Sequence, residues 1–212
     1  SVRCTDFKNA ETKQEVRNER LIINSTKGHF YFFSFFSVNK QPEIIVEVPK
    51  EFNGNIEVGC TTGAIEISDF EKINQLQIKA TTGKILIENM QIKECVARAT
   101  TGKIALNDVK TEESVNLSLS TGNALIENVT AETVLVKTTT GKIGANKIEA
   151  EDIELKTTTG KIDANIVGDE DDYQIKAEIT TGKKNVPEGN KDATKKIKAS
   201  ATAGKINIDF TK

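Results

Sequence analysis

One tripeptide recurs along this chain at a nearly constant interval and constrains what the chain can fold into. Thr-Thr-Gly stands at 61–63, 81–83, 100–102, 139–141, 158–160 and 180–182, with Ser-Thr-Gly at 120–122 and Thr-Ala-Gly at 202–204. Successive glycines of this series lie 19 to 22 residues apart. Self-similarity at a period of about 20 residues indicates a repeat architecture, in which each repeat packs against its neighbours.

Within each repeat, apolar side chains alternate with polar ones. In the repeat around Gly83 they are Leu76, Ile78, Ile85 and Ile87, at positions −7, −5, +2 and +4 when the glycine is counted as zero. A period of two residues indicates β-strands with one buried face. We therefore expect positions −7, −5, −3 and −1 to point inward before the glycine, and positions +2, +4 and +7 after it.

The alternation slips by one residue at each glycine, which predicts a corner there, because glycine adopts the conformations that a sharp bend needs. A polar pair at +5 and +6, such as Glu88-Asn89, predicts a second corner, since Asn and Asp favour turns. The predicted fold class is all-β, a single parallel β-solenoid of about nine coils, stacked about 4.8 Å apart. Each coil has 19–22 residues. Helical solenoids are rejected, since their repeats usually exceed about 30 residues and follow a 3.6-residue period.

The two threonines of each corner have a structural interpretation. Threonines on successive coils are expected to stack into ladders, in which each cross-strand pair contributes about 0.2–1 kcal/mol. Because adjacent residues of a strand face opposite ways, we expect one threonine of each pair to point inward and the other outward.

The N-terminal part of the chain departs from the regular repeat. Residues 1–40 are predicted to form an arm and a Phe-rich capping coil, and residues 41–212 the solenoid repeats. Residues 21–36 fit the coil pattern with Gly28 at the corner, which places Leu21 at an inward position. Terminal repeats are expected to be atypical, because they cover the open end of the core.

Phenylalanine is concentrated in this capping coil. Five of the nine phenylalanines lie between residues 30 and 36. Phe33 and Phe36 stand on the outward parity, so they form a candidate surface for a partner or a second copy. The only histidine, His29, is interpreted as a surface residue beside them.

Composition narrows the function classes. The 29 basic and 31 acidic residues nearly balance, which gives no argument for a nucleic-acid partner. No apolar run is long enough for a transmembrane segment, and no signal peptide is visible. Cys4, Cys60 and Cys95 are too few and too widely spaced for a disulfide framework or a zinc site. We therefore interpret Cys60 and Cys95 as small buried side chains, and predict no metal and no cofactor.

Basic residues recur on both sides of the Thr-Thr-Gly corner. This basic ridge comprises Lys84, Lys103, Lys142 and Lys161 at position +1, and Lys79, Arg98, Lys137 and Lys156 at position −4. Stacking would place like charges about 5 Å apart, which costs stability unless solvent, carboxylates or a ligand offset it. One interpretation is that the side chains extend into water and discourage sheet pairing. The other is a binding ridge for an anionic polymer such as teichoic acid, an acidic glycan or phospholipid headgroups.

Catalytic chemistry has little support in the sequence. Carbohydrate-active β-helix enzymes need carboxylates grouped on neighbouring coils of one face. Glu66 and Asp163 share the outward +3 column, but they are predicted to lie five coils apart. We therefore predict no catalytic residue and a non-enzymatic protein.

The Thr-Thr-Gly-Lys-Ile repeats, with "IEISDF", "ILIENM" and "ALIENV" after their glycines and "EVP" before the first, resemble a bacterial adhesin-like β-solenoid family of unknown function. The resemblance covers about residues 40–210. It implies a right-handed β-solenoid with a surface or envelope-associated role, and it carries over no catalytic residue.

The leading functional hypothesis is a non-enzymatic binding module of the bacterial cell envelope or extracellular surface. Its extended repeat face would bind a glycan, an anionic polymer or a protein. The alternative is a cytoplasmic structural or regulatory scaffold that self-associates through its cap, which free cysteines favour because thiols persist in a reducing compartment. A weaker alternative is a carbohydrate-active enzyme that uses Glu66 or Asp163. The sequence predicts no oligomeric state.

Overall fold

The computed structural model describes residues 2–4, 10–17, 20–27, 44–49 and 51–212. The chain divides into two compact units, Ser1–Pro49 and Lys50–Lys212. Among the described residues, no helix has the length and apolar character needed to cross a membrane.

The first unit contains four short strands in two antiparallel pairs. β1 (Val2–Cys4) pairs with β4 (Ile44–Val46), and β2 (Ala10–Arg17) pairs with β3 (Arg20–Lys27). Leu21 in β3 is 55% exposed. The inward position predicted for Leu21 is therefore wrong, because its strand lies in an antiparallel pair instead of stacking in parallel as a coil does.

The rest of the predicted capping coil cannot be compared in the same way. Gly28, His29, Phe33 and Phe36 lie outside the described residues. The corner at Gly28, the surface position of His29 and the partner surface at the two phenylalanines therefore stay predictions.

The second unit is a parallel β-solenoid, which confirms the predicted fold class. Its strands are β5 (Asn55–Ser68), β6 (Ile73–Val167), β7 (Tyr173–Asn185) and β8 (Lys195–Thr211), and they pair in parallel. A single turn of 3₁₀ helix, Glu170–Asp172, follows β6. Each coil is named here by its corner glycine. β6 winds without interruption through the coils of Gly83, Gly102, Gly122, Gly141 and Gly160.

Stacked glycines make one corner of every coil, as predicted. Gly122 has a φ of +135°, which residues with a side chain rarely adopt. A Cβ atom added there would lie 1.8 Å from the carbonyl oxygen of Gly102 on the neighbouring coil. The other stacked glycines, from Gly83 onward, meet their neighbours in the same way. Glycine is thus required by the bend and also by the close approach of adjacent coils.

Asn and Asp make the second corner, which confirms that prediction. Position +6 has a φ between 52° and 64° in five coils, at Asp69, Asn89, Asp108, Asn128 and Lys147. Among residues with side chains, Asn and Asp adopt this left-handed conformation most readily.

The Gly160 coil has a different second half. Ile166 stands at +6 and is fully buried, whereas Val167 at +7 is only half-buried. The inward position predicted for Val167 is therefore wrong. Without a left-handed residue at +6, the strand alternation continues for one more step and Ile166 takes the inward place.

The core is a continuous column of small and aliphatic side chains. Leu76 at −7 and Ile85 at +2 are fully buried, as are most residues of these columns. Cys95 takes position −7 in its coil and is fully buried, as predicted. Burial, assisted by the charge of Glu94, raises the pKa of its thiol to about 12. Cys60, at −3 of the first coil, is half-buried.

Both threonines of each corner are exposed. In the Gly83 coil, Thr81 and Thr82 are exposed, and the last inward residue before the corner is Ala80. The inward position predicted for −1 is therefore wrong. The chain already bends at the threonine pair, since the parallel register between β5 and β6 has no residue pair at Thr81. The flat-strand alternation thus ends at position −3.

The last two coils stack in the reverse of their chain order. β8 pairs with β6 on one edge, Gly204 against Gly160, and with β7 on the other edge, Gly204 against Gly182. The Gly204 coil therefore lies between the other two. The two segments that join these strands carry the extra residues that lengthen the last repeat steps to 22.

Tyr173 holds the start of β7 against this inserted strand. Its fully buried side chain donates a hydrogen bond from the hydroxyl to the carbonyl oxygen of Ala150, at 3.0 Å. The Tyr173 ring lies 5.6 Å from the ring of Phe210, centroid to centroid. Lys195 Nζ lies 5.6 Å from the Tyr173 ring centroid. One aromatic side chain thus contacts both ends of β8 and the coil beyond it.

Candidate functional site: a basic groove beside the threonine corner

Carboxylates neutralise part of the predicted basic ridge. Lys84 Nζ lies 3.3 Å from Glu66 Oε1, and Lys137 Nζ lies 3.2 Å from Glu154 Oε1. Both pairs are well exposed, so each contributes no more than about 1 kcal/mol to stability. Their main effect is to cancel the charge of these two ridge residues.

Asp163 neutralises two further ridge residues. Its Oδ2 lies 2.7 Å from Lys161 Nζ and 3.4 Å from Lys142 Nζ, and Asn207 Nδ2 donates to its Oδ1 at 3.0 Å. Burial by itself raises the pKa of Asp163, but the hydrogen bonds from Lys161, Asn207 and Lys142, together with the charge of Lys161, outweigh it. The pKa of this carboxyl therefore lies below its usual value.

The other four ridge residues are not neutralised. Lys79, Arg98, Lys103 and Lys156 have no carboxylate oxygen within 4.0 Å in the part of the chain that the structure describes. Lys79 and Arg98 occupy position −4 of adjacent coils, which lie about 4.8 Å apart. Lys103 lies across the corner from Arg98, and Lys156 lies three coils further along. The uncompensated charge is therefore concentrated at Lys79 and Arg98.

Lys79 and Arg98 lie in an open groove of about 650 Å³. The groove crosses four coils and is lined by their residues at −4, −3 and −2: Gly59, Lys79, Arg98 and Ser118, then Cys60, Ala80, Ala99 and Leu119, then Thr61, Thr81, Thr100 and Ser120. Its two outer coils carry only small residues at −4, so space is left on either side of the basic pair. Its last column is a row of four hydroxyl groups.

This arrangement is suited to anionic oxygens. A guanidinium group forms paired hydrogen bonds with phosphate or carboxylate, an ammonium group adds a point charge, and hydroxyl groups donate to the remaining oxygens. The four coils span roughly 14 Å along the solenoid axis. No His, Asp or Glu among the described residues lines the groove, and the Cys60 thiol donates to the carbonyl oxygen of Thr62 at 3.1 Å. The chemistry of these lining residues suits holding an anion, and the described residues of the groove include no acid–base pair.

The second corner carries a different surface, in which carboxylates alternate with amides from coil to coil. Asn107 Nδ2 donates to Glu88 Oε1 of the neighbouring coil at 2.7 Å, and Asn146 Nδ2 donates to Glu127 Oε1 at 3.3 Å. These side chains thus satisfy one another. Across the described ranges, no three His, Cys, Asp or Glu side chains are grouped so as to hold a metal ion.

The two carboxylates considered for catalysis are far apart. Glu66 belongs to the Gly63 coil and Asp163 to the Gly160 coil, and four coils lie between them. Each is engaged in ion pairs with lysines. They do not form a carboxylate pair.

The stacked corners and coils define the protein as a parallel β-solenoid. It belongs to the Toastrack DUF4097 family, a family of unknown function, whose sequence model matches residues 1–211. The match extends beyond the region of the predicted resemblance and includes the N-terminal 40 residues. No curated protein and no solved structure matches the chain.

Proposed function

We propose that this chain is a non-enzymatic binding module of the bacterial cell envelope that holds a linear anionic polymer in the basic groove. The observation that carries the proposal is the pair of neighbouring cations, Lys79 and Arg98, which have no carboxylate partner among the described residues and lie beside a row of exposed hydroxyls. Envelope location rests on the resemblance of the repeats to a surface-associated family.

The contrast with the rest of the ridge supports this proposal. Two unit charges about 4.8 Å apart repel by roughly 1 kcal/mol in water. Elsewhere on the ridge, Glu66, Glu154 and Asp163 neutralise four of the six cations, and the other two, Lys103 and Lys156, lie several coils apart. In the groove no described carboxylate offsets the repulsion between Lys79 and Arg98, so an anion from outside the chain would supply the compensating charge.

The shape of the groove favours a polymer over a small anion. The groove is open along four coils, so a small anion held by Lys79 and Arg98 would not reach the hydroxyl groups of all four coils. An extended chain that follows the solenoid axis would meet Lys79, Arg98 and successive hydroxyls in turn. Lys103 lies across the corner, where it would add long-range attraction.

The test is sedimentation of the purified chain with bacterial cell walls that keep their anionic polymers, and with walls from which these polymers have been removed. The groove variant is Lys79→Gln with Arg98→Gln. The matched control is Lys84→Gln with Lys137→Gln, which removes the same charge from residues already paired with carboxylates.

We expect the wild-type chain and the control variant to bind intact walls and to be released as salt rises, since the Debye length falls from about 10 Å at 0.1 M to about 3 Å at 1 M. The groove variant should bind at least about tenfold more weakly, equivalent to about 1.4 kcal/mol. Equal binding by the groove variant, or binding that survives removal of the anionic polymers, would contradict the proposal.

A further inference from the structure

Among the described residues, the Gly182 coil is the last level of the solenoid, and most of its outer edge has no strand partner. β7 pairs along its length with β8 on one side. On the other side, among the described residues, only its first two residues are paired: Gln174 bridges to Gly189, and Asn190 N donates to Tyr173 O at 2.9 Å. From Ile175 to Asn185 no described strand pairs with this edge. Such an edge is a template for another strand unless the protein blocks it.

A lysine occupies an inward position at this open end. Lys184 stands at +2, where the internal coils carry a small or aliphatic residue, and it is in register with the fully buried Ile206 of β8. Its Nζ donates a hydrogen bond to the carbonyl oxygen of Ala177, at 3.0 Å. Ala177 stands at the inward position −5 of the same coil, so the lysine side chain extends over the open end of the core.

Any further level stacked on β7 would bury this ammonium group. Removing a charge from water costs several kcal/mol unless a partner compensates it, and the neighbouring core side chains are apolar. Ile175, Ile179 and Val186 pack around the end of the core without being fully buried. The segment after β7 covers Ile175, because a Cβ atom added at Gly189 would lie 2.7 Å from Ile175 Cγ1. Over the rest of this end, among the described residues, the charge of Lys184 separates the apolar core from a further strand.

The geometry points to Lys184 as the residue that closes this end of the solenoid. It makes the Gly182 coil the terminal level, because neither the chain's own C-terminal strand nor the β7 edge of a second copy can stack on it. This explains the reversed order of the last coils. β8 carries the apolar Ile206 at +2, so it can lie between two other coils. β7 carries Lys184 there, which would be buried in the core if a coil lay on both sides.

The partner excluded in this way is a second copy of the same chain. Two β7 edges related by a two-fold axis present identical strands to each other, and such pairing closes as a dimer. The half-buried apolar residues at the two ends would cover one another. Removing the charge of Lys184 should therefore convert a closed end into a dimer interface.

The experiment compares Lys184→Met with Lys183→Met. The two residues are neighbours in sequence and both are exposed, but Lys183 stands at the outward position +1, so the control adds the same apolar group without opening the end. Molecular mass is measured by light scattering after size-exclusion chromatography over a concentration series. We expect the Lys184 variant to form dimers at concentrations where the wild-type chain and the control have identical lower mass.

A second readout follows the order of the coils. Asp163 and Asn207 are register partners on adjacent strands, so Asp163→Cys with Asn207→Cys should form a disulfide when residue 184 is unchanged. Cysteines at Asp163 and Asn185 are two levels apart, roughly 9.6 Å, and should not. Peptide mapping separates these products from the native cysteines. In the Lys184→Met background, the second disulfide is expected to appear if β8 moves to the outer place.

Either dimer formation or the second disulfide supports the inference. A Lys184→Met chain that keeps the wild-type mass and coil order while remaining folded by circular dichroism overturns it. Lys184→Ile, which restores the residue of the internal coils, serves as a second variant. Unfolding of both variants would also overturn the inference, because Lys184 would then stabilise the end instead of excluding a neighbour.

Discussion

Asn207 Nδ2 donates a hydrogen bond to Asp163 Oδ1 at 3.0 Å, although the two residues lie 44 positions apart in the chain. In a solenoid that stacks in chain order, the neighbour of Asp163 would be Asn185 of the next coil. The contact therefore records the insertion of β8 between β6 and β7. It also completes the set of donors around the carboxylate that neutralises Lys142 and Lys161.

Asp163→Asn is expected to lower stability at neutral pH and to have little effect in acid. The folded-state pKa of Asp163 lies below its usual value, so its carboxylate stabilises the fold above the unfolded-state pKa of about 3.9. That contribution is lost as the pH falls through the lower folded-state pKa. Because the group is partly exposed, we expect a loss of no more than about 1 kcal/mol, measured by urea unfolding at several pH values.

The control for this prediction is Asp152→Asn. Asp152 is exposed and has no ion-pair partner in the described ranges, so its variant should stay within about 0.5 kcal/mol of the wild type. A difference between Asp163→Asn and the wild type that stays constant down to the most acid point would contradict the linkage argument.

Gly122→Ala is expected to destabilise the solenoid by at least about 3 kcal/mol. The added Cβ would lie 1.8 Å from Gly102 O, and alanine at a φ of +135° is strained in any case. Gly59→Ala is the matched change at a glycine whose added Cβ would have no described atom within 4 Å. Thermal and urea unfolding of both variants should show a large loss for the first and nearly none for the second, and equal losses would refute the stacking argument.

Lys147→Asn is expected to stabilise the protein by about 0.5–1 kcal/mol. Lys147 has a φ of +53° at the corner position where four other coils carry Asn or Asp, which adopt this conformation at lower cost. Lys110→Asn makes the same chemical change at an exposed residue without positive φ and should bring no gain. If urea unfolding gave both variants the same stability change, backbone strain at Lys147 would not be the cause.

The structure of a single coil could be predicted from the sequence because the residues that determine it lie within about 20 residues of one another. A glycine every 19 to 22 residues fixes one corner, an Asn or Asp six residues later fixes the second corner in four coils, and the apolar columns follow from strand alternation. The alternation rule failed where the backbone leaves the flat strand. It misplaced the threonine at −1, which lies inside the bend, and Val167, whose coil lacks the left-handed residue.

The order of the last coils and the charge pattern of the ridge depend on contacts between coils, which repeat spacing alone does not determine. The repeats at Gly160, Gly182 and Gly204 share one motif, so the motif alone does not determine which of them are neighbours. The lysine at position 184 was the available signal, since it is the one charge in an otherwise apolar inward column. Likewise, Lys84 and Lys103 occupy the same repeat position, and the contact with Glu66 distinguishes the neutralised Lys84 from Lys103, which has no carboxylate partner among the described residues.

The inserted strand has a consequence for the way in which the protein is made. A ribosome delivers β6, then β7, and only later the strand that has to lie between them. If the coils stacked in the order in which they leave the ribosome, β7 would pair with β6. It would then have to leave that position before β8 could pair with β6. The final level can therefore be assembled only after residue 211 has been translated, and a nascent chain that stops before β8 has a coil missing from inside its stack instead of from its end.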